Sequence, residues 1–267
     1  ESLQGRWALI LGASSGFGAA TARTLARAGM NIVGVHLDPR STRARADAVV
    51  ADVEETGSQA VFFNTNAADA RRRQRVMQQL TDVLTGDPAG SIHLVLHSLA
   101  FGSLKPYIAE TPGEAVSEDQ MEMTLSVMAN SLVYWVQDLV HAGLLVEGSR
   151  VYALTSLGSQ RASDSDAPVS AAKAALEAHM RQLAVELASQ KIAVNCLMPG
   201  VTDTPALRAI PGHEAMIEKV QAYHPAGRMT TPEDVAQTIL VLADPRLTWV
   251  SGAVIPIDGG ESAVGLT

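Results

Sequence analysis

The stretch Leu9-Ile10-Leu11-Gly12-Ala13-Ser14-Ser15-Gly16-Phe17-Gly18 decides the fold. An apolar run stops at Gly12, and a helical pattern begins at Ala19-Ala20-Thr21. Each glycine answers a separate steric need. Gly12 permits a tight exit from a strand, Gly16 lets backbone approach a ligand with no Cβ in the way, and Gly18 lets a helix pack closely on a sheet. The helix start then offers unpaired N–H groups and a partial positive charge, which suit a pyrophosphate. A glycine triplet alone also fits an ordinary strand–helix turn. Its place after a strand and before a helix favours the nucleotide reading.

Composition narrows the class. The sequence has 267 residues, 47% hydrophobic and 18% charged, which suits one α/β domain over 1–267. A formal net charge of −8 argues against a nucleic-acid partner bound by phosphate neutralisation. The single cysteine, Cys196, excludes an intrachain disulfide and suits a reducing, cytoplasmic setting. Cys196 lies in the apolar run 192–198 and reads as a small buried hydrophobe. No apolar run approaches the ~18 residues of a membrane span. The first seven residues lack a basic segment followed by a long apolar one, so no export signal is expected.

Apolar runs at 8–11, 31–36, 60–63, 92–97, 150–155, 192–197 and 253–257 alternate with helical patterns at 19–28, 41–56, 68–84, 118–141, 170–189 and 232–243. This alternation predicts a doubly wound parallel sheet of about seven strands with helices on both faces, a single-domain Rossmann fold with its ligand at the carboxyl ends of the strands. The segment 202–223 holds Pro205, Pro211 and Gly212 and is expected to be mobile and to cover the site. The second strand ends in His36-Leu37-Asp38-Pro39-Arg40. An acid there would bind a ribose 2′-hydroxyl, and an arginine a 2′-phosphate. With Arg40, Arg43 and Arg45 clustered, NADP(H) is favoured and NAD(H) is the alternative.

The glycine turn, the segment from Ser156 to Lys173, Asn195 with Pro199-Gly200, and Ile257-Asp258-Gly259-Gly260 together resemble the short-chain dehydrogenase/reductases over nearly the whole chain. His97-Ser98-Leu99-Ala100-Phe101, Lys173-Ala174-Ala175-Leu176-Glu177-Ala178 and Pro232-Glu233-Asp234-Val235-Ala236 are similar to the enoyl-acyl-carrier-protein reductase branch. The resemblance implies hydride transfer between nicotinamide and substrate. A lysine, here Lys173, would hold the nicotinamide ribose, and a serine, here Ser156, would orient the substrate. It also implies cofactor contacts from Gly12, Ser14, Ser15, Gly16, Phe17 and Gly18, from His36, Asp38 and Arg40, from Asn66 and Ala67, from His97 and Ser98, from Lys173, and from Pro199, Gly200, Val201 and Thr202. Asn130 falls near the family's helix asparagine, and a helix-interior role is the alternative.

The family's tyrosine has no counterpart. Four positions before Lys173 stands Val169, and seven before stands Asp166. Valine has no proton to give. Aspartate could donate one only if burial kept it protonated, and pairing with Lys173 would keep it charged. It also reads as a solvated loop acid. Replacement donors are Ser156 first and Tyr107 second, with Asp166 the remaining candidate. Tyr152 reads as core, and His97 reads first as a packed, hydrogen-bonded histidine.

The seven histidines show no ligand spacing, so no metal is expected. Arg71-Arg72-Arg73 with Arg75 reads as a solvated face, or as a contact for a carrier protein or phosphate. Met121, Met123, Met128, Leu125, Leu132 and Val136 recur near helical spacing and suggest a homotetramer or homodimer. Three functions stay open. They are a reductase of an enoyl thioester or ketone, small or carrier-bound; a non-redox cyclase, lyase or isomerase; and a cofactor-binding protein without catalysis.

Overall fold

A computed structural model describes residues 3–87, 89–161 and 167–264. Seven parallel strands form one sheet: β1 (Trp7–Leu11), β2 (Asn31–His36), β3 (Ala60–Asn64), β4 (Ile92–His97), β5 (Arg150–Leu154), β6 (Ala193–Pro199) and β7 (Val254–Ile257). Their order is β3-β2-β1-β4-β5-β6-β7. The chain winds outward from β1 to β3, then returns past β1 to β4. That reversal opens a crevice at the carboxyl ends of β1 and β4.

Side chains alternate across the sheet with the strand period. Trp7, Leu9 and Leu11 join one core with Val33 and Val35, whereas Ala8, Ile10 and Ile32 join the other. The first core is closed by α3 (Ala70–Thr85), α5 (Ser131–His141) and α6 (Ala167–Glu186). The second is closed by α1 (Gly16–Arg27), α2 (Arg43–Glu55) and α9 (Pro232–Leu242). Strands covered on both faces are largely apolar, which is why they read as near-continuous runs. No helix among the described residues is long and apolar enough to cross a membrane.

Four sequence expectations change. The single helix over 118–141 is α4 (Glu118–Leu125) and α5, joined by a π-helical turn, Ser126–Asn130. That turn carries Met128 and Ala129 into the core. Met128, Leu132 and Val136 therefore face the interior and not a partner surface. The segment 202–223 is largely helical, as α7 (Pro205–Arg208) and α8 (His213–Tyr223). Pro205 sits at the start of α7, where a missing N–H costs nothing. Gly212, at φ +76°, starts α8. Arg73 is no solvated charge. It is buried, pairs with Asp138 at 2.6 Å, and its guanidinium lies 5.3 Å from the Tyr134 ring centre. Both partners come from α5, more than 60 positions away, which the basic run itself does not show.

A Cβ on Gly18 would lie 2.0 Å from the Gly12 carbonyl oxygen, so backbone would have to move. Gly18→Ala should lower the unfolding free energy by about 1–3 kcal/mol, read from the denaturant midpoint. An unchanged midpoint would show that α1 does not depend on this approach.

Candidate active site

The glycine turn is tied to its neighbours by backbone. Gly12 N–H donates to Val35 O at 2.8 Å, Ala13 N–H to the same oxygen at 3.2 Å, and Ser98 N–H to Leu11 O at 2.8 Å. Gly12 adopts φ +93°, and a Cβ there would lie 2.3 Å from Ser98 O. Gly16 adopts φ +51°, with the Thr204 methyl 3.5 Å from where its Cβ would stand. α3, α4 and α9 are closed by the side chains of Asp69, Ser117 and Thr231, but Ser15 makes no side-chain cap on α1. The first turn of α1 thus keeps N–H groups for a ligand. Beside it lies a cleft of ≈ 430 Å³ lined by Ser14, Ser15, Gly16, Arg23, Arg45 and Asp203, among others. Open amides, a positive helix end and two arginines fit a dinucleotide diphosphate.

At the tip of β2, Asp38 is held by three donors. His36 Nδ1 lies 2.8 Å from Oδ2, and Thr42 Oγ1 donates to Oδ1 at 2.7 Å. Partial burial works to raise its pKa, but hydrogen bonds from Ser14, Thr42 and His36 outweigh it and lower the carboxyl below the usual range. Asp38 is therefore anionic beside the glycine turn. Arg40, Arg43 and Arg45 are exposed around it. After β3, Asn66 Oδ1 accepts from Ala68 N–H at 2.9 Å, and Ala67 O accepts from the Trp135 indole at 2.9 Å.

Lys173 is buried at the tips of β4 and β5, and its Nζ donates to Leu154 O at 2.6 Å. Burial lowers its pKa to about 8, against the opposing influence of Cys196 and Glu177. Glu177 follows one turn later on α6 and accepts from Thr155 Oγ1 at 2.7 Å. Cys196 is buried, its thiol pushed up to about 12 chiefly by that burial. His97 is fully buried, with Nε2 2.8 Å from Ser131 Oγ. The Ser131 hydroxyl gives its one proton to Val127 O, so His97 Nε2 must be the donor. Desolvation, with the Lys173 charge adding, lowers the His97 pKa to about 3, so the ring is neutral. Its side chain faces α5.

The other candidates are spread around this mouth. Ser156, half-buried, precedes a short 3-10 turn, Leu157–Ser159, directly after β5. Tyr107 reaches from the loop after β4 and donates its hydroxyl to Ala167 O at 2.9 Å, in the first turn of α6. Val169 lies on α6 one turn before Lys173. Asp166 lies outside the described residues. Asn130 ends the π-helical turn, and its Oδ1 lies 3.0 Å from His179 Nε2. Tyr152 is core, with its hydroxyl on Leu242 O. After β6, Gly200 N–H donates to Ile257 O, Val201 N–H to Glu261, and Thr202 Oγ1 to Gly200 O. Among the described residues, no three His, Cys, Asp or Glu side chains gather as a metal site.

Glu177, Thr204 and Glu261 were not singled out from sequence. Glu177 had a signal, the i,i+4 spacing from Lys173. Thr204 and Glu261 act across long separations that no local pattern reports.

Comparison with known proteins agrees with this geometry. The family described as enoyl-(acyl carrier protein) reductase matches residues 12–262. Cyclohexanol dehydrogenase of a Rhodococcus species is 30% identical over 97% of this chain and 96% of its own. Cis-4-hydroxycyclohexanecarboxylate dehydrogenase of Sinomonas cyclohexanicum is 29% identical over 99% of each. The solved structure of the promiscuous reductase LugOII, described as catalysing keto-reduction at C1 during lugdunomycin biosynthesis, superposes with a TM-score of 0.82 at 26% identity, covering 98% of this chain and 99% of that one. The chain belongs to the short-chain dehydrogenase/reductase family of NAD(P)(H)-dependent oxidoreductases.

Proposed function

We propose that this enzyme interconverts a ring-borne ketone and its alcohol. The observation that carries the reading is Lys173, a buried ammonium at the strand tips, together with the open amides of the glycine turn. Bound nicotinamide would supply or accept the hydride. The chain's part is to hold both reactants and to manage one proton. Relatives named for cyclohexanol and hydroxycyclohexanecarboxylate support a cyclic secondary alcohol or ketone. An enoyl thioester, free or on a carrier protein, is the second reading, favoured by the description of the matched family.

Ser156 orients the carbonyl oxygen from the mouth of β5. The Tyr107 phenol, already at the first turn of α6, supplies a proton from within a turn of Val169. Lys173 holds the ribose and keeps the site positive. The helices α7 and α8 cover the substrate, with Thr204 against Gly16. Arg45, which lines the cleft with Ser14 and Gly16, favours a 2′-phosphate and hence NADP(H). Asp38 is the group a 2′-hydroxyl would use, so NAD(H) is the competing cofactor. A homodimer or homotetramer in the cytoplasm completes this reading.

Substrate-dependent loss of absorbance at the reduced-nicotinamide band, on cyclic ketones and enoyl thioesters in parallel, tests the activity and ranks the substrate classes. Absence of turnover on both panels would falsify it. Ser156→Ala and Tyr107→Phe should each lower kcat by about 10²-fold if both serve the developing oxyanion. A variant with full kcat removes that residue from the role. The Lys173 ammonium is present below about 8, so kcat/KM for reduction should fall as pH rises through that value. Lys173→Ala should abolish turnover at every pH, and retained activity would contradict its role. Arg45→Ala should raise KM for NADPH about fivefold while leaving that for NADH. An equal change for both cofactors would contradict the phosphate assignment.

A further inference from the structure

The turn after β6 is gripped from outside the sheet by a carboxylate. Glu261 is 6% exposed, and its Oε2 and Oε1 lie 3.0 and 3.3 Å from the Val201 backbone nitrogen. Oε2 also lies 3.8 Å from His224 Nε2, at the end of α8. A Cβ on Gly200 would fall 2.7 Å from Oε2 and 2.6 Å from Thr230 Oγ1, so only glycine fits this strand exit beneath the carboxylate. The opposite wall is as close. Gly259 has φ +58°, and a Cβ there would stand 2.9 Å from His224 Cε1.

The protons can be assigned. Ala226 N–H donates to His224 Nδ1 at 3.1 Å, so that nitrogen is bare. Nε2 then carries the proton and gives it to Asp258 O at 3.0 Å. Asp258 is itself occupied, accepting from the backbone N–H groups of Gly260 and Ser262 at 2.9 and 3.0 Å. Glu261 is left with the Val201 N–H as its hydrogen-bond donor among the described contacts, a charge-assisted bond that fixes where the strand exit points.

We propose that Glu261 is a positioning residue. Its carboxylate fixes the Gly200–Val201 turn and, through the adjoining His224, joins that turn to the end of the covering segment, so that cofactor retention depends on it. This rests on the reading that the turn after β6, with Pro199, Gly200, Val201 and Thr202, contacts the bound dinucleotide. The groups facing Glu261 are His224 from α8 and Asp258 from the turn after β7. The loop before α9 presents the Thr230 hydroxyl, and the turn after β6 presents backbone. Burial raises the Glu261 pKa, opposed by the Val201 N–H and, when its ring is protonated, by His224, while Asp258 adds to the rise. The sign follows. A carboxyl whose pKa is raised by folding destabilises the fold once it is ionised, and that penalty is relieved as pH falls through its folded value.

Glu261→Gln keeps an acceptor for Val201 but removes the charge. Stability and cofactor retention should therefore move apart, which a merely structural role would not produce. At pH 8, Glu261→Gln should raise the dinucleotide KM about fivefold, with kcat within about twofold and a thermal midpoint no lower than wild type. The wild-type KM should climb toward the variant's as pH falls to 5, while the variant's stays flat. Glu261→Ala should raise KM further; should it fail to fold, Glu261→Gln still decides. An unchanged KM and pH profile in Glu261→Gln, or a KM rise matched by a lower midpoint, overturns the proposal. A wild-type chain that binds neither NADH nor NADPH by calorimetry overturns instead the reading on which it rests.

Discussion

Three pieces of backbone meet at the tips of β1 and β4 with no room for a side chain between them. A Cβ on Gly12 would enter the Ser98 carbonyl, and one on Gly18 would enter the Gly12 carbonyl. This contact sets the position of α1 relative to the sheet. It brings an uncapped helix start over the point where the strand order reverses, and it leaves the cleft beside Ser14 and Gly16. A methyl group at either glycine would push the helix away and close the approach of backbone to a diphosphate.

Below that cleft the sheet carries a column of buried polar groups. Burying charge is costly unless it is bonded and compensated. Lys173 is bonded to Leu154 O and Glu177 to Thr155, and the two opposite charges lie one helical turn apart. His97 avoids the cost by staying neutral and donating to Ser131, so it does not compete with Lys173 for a proton. The π-helical turn Ser126–Asn130 lies immediately before Ser131. Such turns often occur beside functional sites. The column ends on α6 at Val169, an apolar residue, and a phenol comes in from the neighbouring loop at Tyr107.

The fold was legible because its signals are local. Strand runs at 31–36 and 92–97 coincide with β2 and β4, and the other strands differ by a residue or two at their ends. The glycine turn was legible for the same reason, since three residues in one loop carry the whole steric requirement. What failed was long-range. Arg73 looked solvated because Asp138 and Tyr134 are on another helix, and Met128, Leu132 and Val136 looked like an interface because a period of 3.6 does not say which surface it faces. The break at Ser126–Asn130 left no glycine or proline to mark it, and α7 was hidden by a proline that begins it. At the site, the neighbours of Lys173 in sequence single it out, and the structure buries it with its Nζ on Leu154 O. The hold of Glu261 on Val201 spans 60 positions and was not.

A dinucleotide lying across the strand tips would rest its diphosphate on the amides of the glycine turn. A crystal structure of the chain with NADPH or NADH measures this directly. Diphosphate oxygens are expected about 3 Å from backbone nitrogens between Ser15 and Gly18, with the nicotinamide ribose against Lys173. A diphosphate bound elsewhere, or a glycine turn that contacts no part of the nucleotide, would contradict it.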